Sequence, residues 1–309
     1  MKKIILTALA ALAVCTSAMA QKTSAEYLAK YNTLVKNLGP AGVGIENLIN
    51  KWEADFPDDV DMHTARFVYY FAKSQYTQVT TKSQDKFMGQ KPILSLKDST
   101  GHDVHYYQEN FYIDSLYALS STAIDKAIKA APDRLDLRLE KVSSLMAYEK
   151  ESPDMALSIL KGIIDYNASS HPKWKYSTAD VSAEDFSALI QDECAALFSI
   201  ASPAAYSAFK SVSEKMLSYE PKNVLFLDNL GTYEFVVNGD YKKALKYYNK
   251  VLKLSKDDYT AVKNCVLIGR KNKDWKMEKK YLEMLVKCSP DETERRSAQA
   301  RIDAMAQKK

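Results

Sequence analysis

His102 and His105, with Asp103 between them, are the only clustered histidines in a chain that has four. Imidazole nitrogens and a carboxylate are donors suited to transition metals. The spacing works against that chemistry, because strand residues three apart point to opposite faces and would not converge on one ion. Polar surface residues of an insertion are the reading the spacing favours, and no metal or cofactor is expected. Nucleophilic chemistry has no better support: there is no Gly-x-Ser-x-Gly, no His-Glu-x-x-His and no Gly-rich phosphate loop. The acidic pairs Asp58-Asp59 and Asp257-Asp258 stand just before helix starts, where the helix macrodipole accounts for them. Together these patterns disfavour an enzyme.

The elements that would position any site are helical. Of 309 residues, 46% are apolar and 27% charged, and Gly and Pro number only nine each, which suits long helices in a globular chain. Residues 1–20 read as an export signal to be removed before folding. Lys2 and Lys3 are followed by an apolar run, 4–14, and by the small-x-small site Ala18-Met19-Ala20. The run is too short to anchor in a bilayer, and no later segment has the length and apolarity of a transmembrane helix. Leu12-Ala13-Val14-Cys15 also resembles a lipoprotein box, but Val14 stands where a smaller residue is wanted, so cleavage after Ala20 is preferred. The mature chain, 21–309, is then exported to the periplasm or cell envelope. It keeps Cys194, Cys265 and Cys288, an odd number with no Cys-x-x-Cys. Cys265 and Cys288 fall on apolar stripes as buried thiols, with a disulfide between them as the alternative. The net charge of +4 does not suggest nucleic acid.

Periodicity predicts helices over 24–38 with Ser24 as N-cap, 44–56 ending at Pro57, and 60–76. The rhythm then breaks over 77–107. There Ile93 to Leu96 and Val104 to Tyr107 flank a turn-rich stretch and read as a β-hairpin. Helix resumes near Glu109 and ends at Pro132. Helices follow over 135–150 and 154–166, then an irregular segment over 167–181, then helices over 182–200 and between Pro203 and Pro221. The last helices are expected at 224–238, 241–254, 259–272 and 275–288, with a polar one from Thr293 to about Ala306.

The segment 223–291 carries the clearest order. Leu227-x-x-Leu230-Gly231, Gly239-Asp240-Tyr241 and Ala244-x-x-x-Tyr248 are followed by Asp274-Trp275, which lies 34 residues after Asp240-Tyr241, and by Pro290, 34 after Lys256. The chain resembles the tetratricopeptide repeat superfamily, in particular exported members from Bacteroidetes. Three departures stand out. The first helix of the fifth repeat is one residue longer than the family spacing, Glu278 replaces the small crossing residue, and Lys256 replaces the closing proline. The resemblance implies an all-α, right-handed superhelical solenoid of about six helical hairpins, a C-terminal capping helix and a small β-hairpin-like insertion. It also implies a concave groove for a protein or peptide partner. Asn229 and Asn264, at matching positions of consecutive first helices, and Lys263 beside the latter resemble part of the family's carboxylate clamp, so these three are the candidate ligand-binding residues. Function is then that of a non-enzymatic scaffold. Two alternatives stay open: an enzyme or enzyme subunit acting on envelope glycans, and a membrane-surface adaptor. The second would use Lys242, Lys243, Lys246, Lys250 and Lys253, opposite the apolar stripe of their helix, against an acidic partner or anionic headgroups. N-terminal sequencing of the exported protein should read Gln21; a blocked, lipid-bearing Cys15 would reverse the order of the two processing readings.

Overall fold

The computed structural model describes residues 23–307. The expected leader, with Cys15 and the cleavage site, lies outside the described residues. Thirteen α-helices and a small antiparallel sheet make up most of what is described. α1 (Ser24–Leu38), α2 (Ile45–Asp55) and α3 (Val60–Ser74) follow the apolar periodicity. The N-cap of α1 is Thr23 rather than Ser24, since Thr23 forms a capping box with Glu26. Ser24 instead takes the Trp52 indole N–H at 3.1 Å and donates to Asp59, tying the first three helices together.

The main departure from expectation follows Ser74. Residues 75–76 and 109–112 are strand, not helix. β1 (Gln75–Lys82) and β3 (Asp103–Tyr112) pair antiparallel over their length, from Gln75↔Tyr112 to Lys82↔His105. The short β2 (Leu94–Lys97) pairs on the other side of β3, as the expected hairpin. Both long strands are rich in Thr, Val, Tyr and Phe, side chains that suit a pleated surface better than a helix. The ribbon grows directly from a helix pair. α4 (Asp114–Ala130) packs along α3, and the Ile113 N–H donates to the Ser74 carbonyl at 2.8 Å where strand gives way to helix.

α5 (Leu135–Glu149), α6 (Asp154–Ser170), α7 (Ala183–Ile200) and α8 (Pro203–Tyr219) follow, interrupted only by the tiny hairpin of β4 (Lys175–Tyr176) and β5 (Ala179–Asp180). That interruption is pinned by Trp174, which is buried, donates to Asn167 at 3.0 Å and lies under the Arg138 guanidinium. The remaining helices are α9 (Val224–Thr232), α10 (Tyr241–Leu254), α11 (Tyr259–Lys271), α12 (Trp275–Cys288) and α13 (Glu292–Ala306). Helices pack on their sequence neighbours except at α6 and α7, where α5/α7 and α6/α8 make the contacts instead; α1/α3, α7/α9 and α9/α11 also touch. The apolar core runs along the chain as successive clusters. No described helix is long and apolar enough to cross a membrane.

The recurrence of 34 residues has a local physical form. Gly239 and Lys273 both take a positive φ, +65° and +55°, to turn between helices. Asp240 and Asp274 then cap α10 and α12 through the amides of Lys243 and Met277. After α9 the chain makes one π-helical turn, Tyr233–Val237, with the Asn238 N–H reaching the Tyr233 carbonyl; the surplus residue expected in this helix is absorbed there. Glu278, large where a small residue was expected, is fully buried and held by Arg270 at 3.0 Å and Arg301 of α13 at 3.1 Å. Gly269 makes room for it, with a backbone that would put a Cβ 2.8 Å from the Glu278 nitrogen.

Close helix crossing also fixes Gly231, where a Cβ would stand 2.5 Å from the Tyr248 ring. Gly231→Ala should therefore destabilise the fold by about 1–3 kcal/mol through overpacking. Gly162→Ala, in α6 with open space around it, should be neutral or stabilising by up to about 1 kcal/mol. Thermal denaturation of the two variants checks the contrast; equal effects would contradict the crossing.

Candidate functional site

A cleft lies where the sheet meets the helices. Its volume is about 420 Å³, within the range of about 300–1,000 Å³ usual for ligand sites. One side is β3, from Tyr107 to Asn110 together with Tyr112; the other is α5 and the end of α7. The loop after β1 closes the top with Phe87, Met88 and Gln90. That loop is tied down by the Tyr107 hydroxyl, which donates to the Gln84 carbonyl at 2.8 Å. Gly89 sits close against the end of α7, where a Cβ would meet that of Ala201 at 3.3 Å.

Aromatic packing makes the base rigid. Tyr117 stacks on Tyr148 at 4.0 Å, and Tyr112 meets both edge-on. Glu109 is the centre of charge. It accepts from Thr80, pairs with Lys82 at 3.2 Å and lies 3.7 Å from Lys150 at the end of α5. These cationic neighbours and the hydroxyl hold its carboxyl below the usual range against the opposing effect of burial. Both ammonium groups also lie over rings, Lys82 on Phe87 at 4.1 Å and Lys150 on Phe111 at 3.4 Å. Behind the α5 wall, Ser143 donates to the buried Glu193, whose pKa burial pushes up to about 7.

The residues singled out from the sequence lie elsewhere and are already engaged. Asn229 is buried and exchanges two hydrogen bonds with Gln191, at 2.9 and 2.6 Å, and donates to Ser213 at 3.1 Å. Lys263 is bound to the Tyr259 hydroxyl at 2.8 Å and to Glu294 of α13 at 3.0 Å. It lines a smaller cleft of about 200 Å³ under that helix. Asn264 is half-buried beside the Tyr248 hydroxyl. The amide of Asn229 is thus used in joining α7, α8 and α9. Asp228, next to it, is buried with its Oδ1 unpartnered, and its pKa is raised to about 8 by burial and by the Asp258 carboxylate. His105 bonds Ser95 across the β2–β3 pair and His102 bonds Thr100 in the turn before β3, each at 2.7 Å, so the two imidazoles are engaged separately. Cys194, Cys265 and Cys288 are free thiols. The five lysines of α10 are exposed opposite the buried Ala244, Tyr248 and Val251. The cleft itself was missed because its residues come from three distant segments. The one local signal was the Gly89-Gln90-Lys91-Pro92 turn that folds its loop back. No protein-family model and no curated protein matches this chain.

Buried acids give a pH dependence with a definite sign. Glu193 is held near 7 in the folded chain, above its ordinary 4.5. The folded state therefore keeps a proton that the unfolded chain releases at lower pH. This contribution to stability is complete below the unfolded value and is lost as pH rises through about 7. Asp228, at about 8, acts in the same direction. The melting temperature should fall from pH 5 to pH 8, and Glu193→Gln should flatten that slope and raise the melting temperature at pH 8. An unchanged slope in the Gln variant would show that Glu193 is not buried as a neutral acid.

Proposed function

We propose that this is a non-enzymatic binding protein of the cell envelope, in which a tetratricopeptide-like solenoid is the frame and the sheet insertion builds the seat for the partner. The solenoid reading is supported by the contact of alternate helices and by the matched turns at Gly239 and Lys273. Such arrays stack each repeat only on its neighbours and leave an extended surface for binding. The binding reading rests on a single observation, the cleft between β3, α5 and α7. It combines rigid aromatic walls with a few convergent polar groups, Gln90, Asn110, Ser143, Ser199 and the Glu109–Lys150 pair. A protein or peptide partner would place a side chain or chain end there and run on along the array, where Lys263 and Asn264 would add polar contacts.

The polar side chains of the cleft are amides, hydroxyls and the Glu109–Lys150 pair, and the Ser143 hydroxyl is taken up by the buried Glu193. Such groups orient a ligand rather than transform it. Ala147, exposed on the α5 wall, offers the test. Ala147→Trp should fill the cleft and lower recovery of the envelope partner at least tenfold in affinity capture, with little change in melting temperature. Lys263→Ala and Asn264→Ala should weaken capture less. Undiminished capture by the Trp variant would sink the assignment.

A further inference from the structure

Lys150 holds a backbone conformation that its residue type disfavours. Its φ of 55° and ψ of −108° belong to a region that glycine occupies readily and that crowds any residue with a Cβ. The surrounding turn enforces it: Lys150 N–H still closes α5 on the Met146 carbonyl, and Glu149 accepts the first amides of α6 at 2.8 and 3.0 Å. Glycine would meet the same turn without strain. A lysine there places an ammonium in the cleft, of whose lining residues it is the only cation.

That ammonium is under-used. It lies 3.4 Å from the Phe111 ring and 3.7 Å from Glu109, and it makes no hydrogen bond among the described residues. Glu109 is already matched by Lys82 at 3.2 Å and by the Thr80 hydroxyl. One carboxylate between two lysines leaves a net charge of one, facing the cleft through Lys150. A singly charged anion fits that surplus, whereas a dianion would also be repelled by Glu109. Around it stand Phe87, Met88, Tyr107 and Met146, which suit an apolar body, with Gln90 and Asn110 as further amide donors.

We propose that the cleft takes a carboxylic acid with an aromatic or branched apolar body, its carboxylate docked on the Lys150 ammonium and its body between Phe87, Tyr107 and Met146. This rests on the cleft being the seat of binding, as proposed above, and it is distinct from the positions of Asn229, Lys263 and Asn264. The carboxylate belongs either to a free small acid or to the end of a peptide chain.

Titration calorimetry on the mature chain separates these. The ligands are 3-phenylpropionate with its amide, and a short peptide ending in phenylalanine with its C-terminal amide. In at least one pair the acid should bind tenfold or more tightly than the amide, and that pair identifies the source. Lys150→Gly should melt higher than the parent yet lose the preference for the acid. Lys150→Met, which keeps the strained backbone and the stem over Phe111, should lose it too. Acid and amide binding equally would overturn the carboxylate assignment and leave the cleft as a seat. Failure of all four ligands to bind would overturn both. A Lys150→Gly variant that keeps the preference, or that melts lower, would remove Lys150 as the anchor.

Discussion

At Ser74 and Ile113 a helix pair becomes a strand pair without a loop on either side. The hydrogen bond between their backbones stands at the change, and the next residues are already in register, Gln75 opposite Tyr112. The constraint is that every backbone donor leaving a helix must find another partner. Here the two chains find one another. The sheet therefore extends the α3/α4 pair and inherits its direction. That direction carries β3 past the end of α5 and makes a cleft between them. Without the handover the insertion would be a surface loop with nothing to face.

Acidic side chains show how the helical fold tolerates charge inside. Glu278 is fully buried but answered by two arginines, one of them from the last helix, so a charged residue at a helix crossing fastens α13. Glu109 is answered by two lysines and a hydroxyl. Glu193 and Asp228 have no cation and instead hold protons more tightly than usual. Paired acids are fastened by their partners, and unpaired ones make stability respond to pH. Glu109 couples such a pair to the cleft between β3, α5 and α7.

Much of the helical order was legible in the chain. Apolar periodicity and proline stops located most helices to within a few residues, and the surplus residue before Asn238 is taken up by a π-turn that periodicity did not indicate. The strands beyond the expected hairpin were misread because their aromatic residues fit either period over so short a length. Asn229 stood at a plausible position, yet the Gln191 amide that occupies it comes from two helices earlier. Lys150 gave no signal at all, since a lysine after a helix is ordinary until its φ and ψ are known.

By itself, the sequence determined the mostly helical character, the 34-residue spacing of the last helices and the place where the rhythm breaks, because these depend on periodicity and on local turn chemistry. Tertiary structure alone decided what the break is for. Glu109, Lys150 and Ser199 meet only after α3 and α4 have aimed the ribbon at α5 and α7. Contacts between segments so far apart follow from packing and backbone direction, which no local pattern encodes.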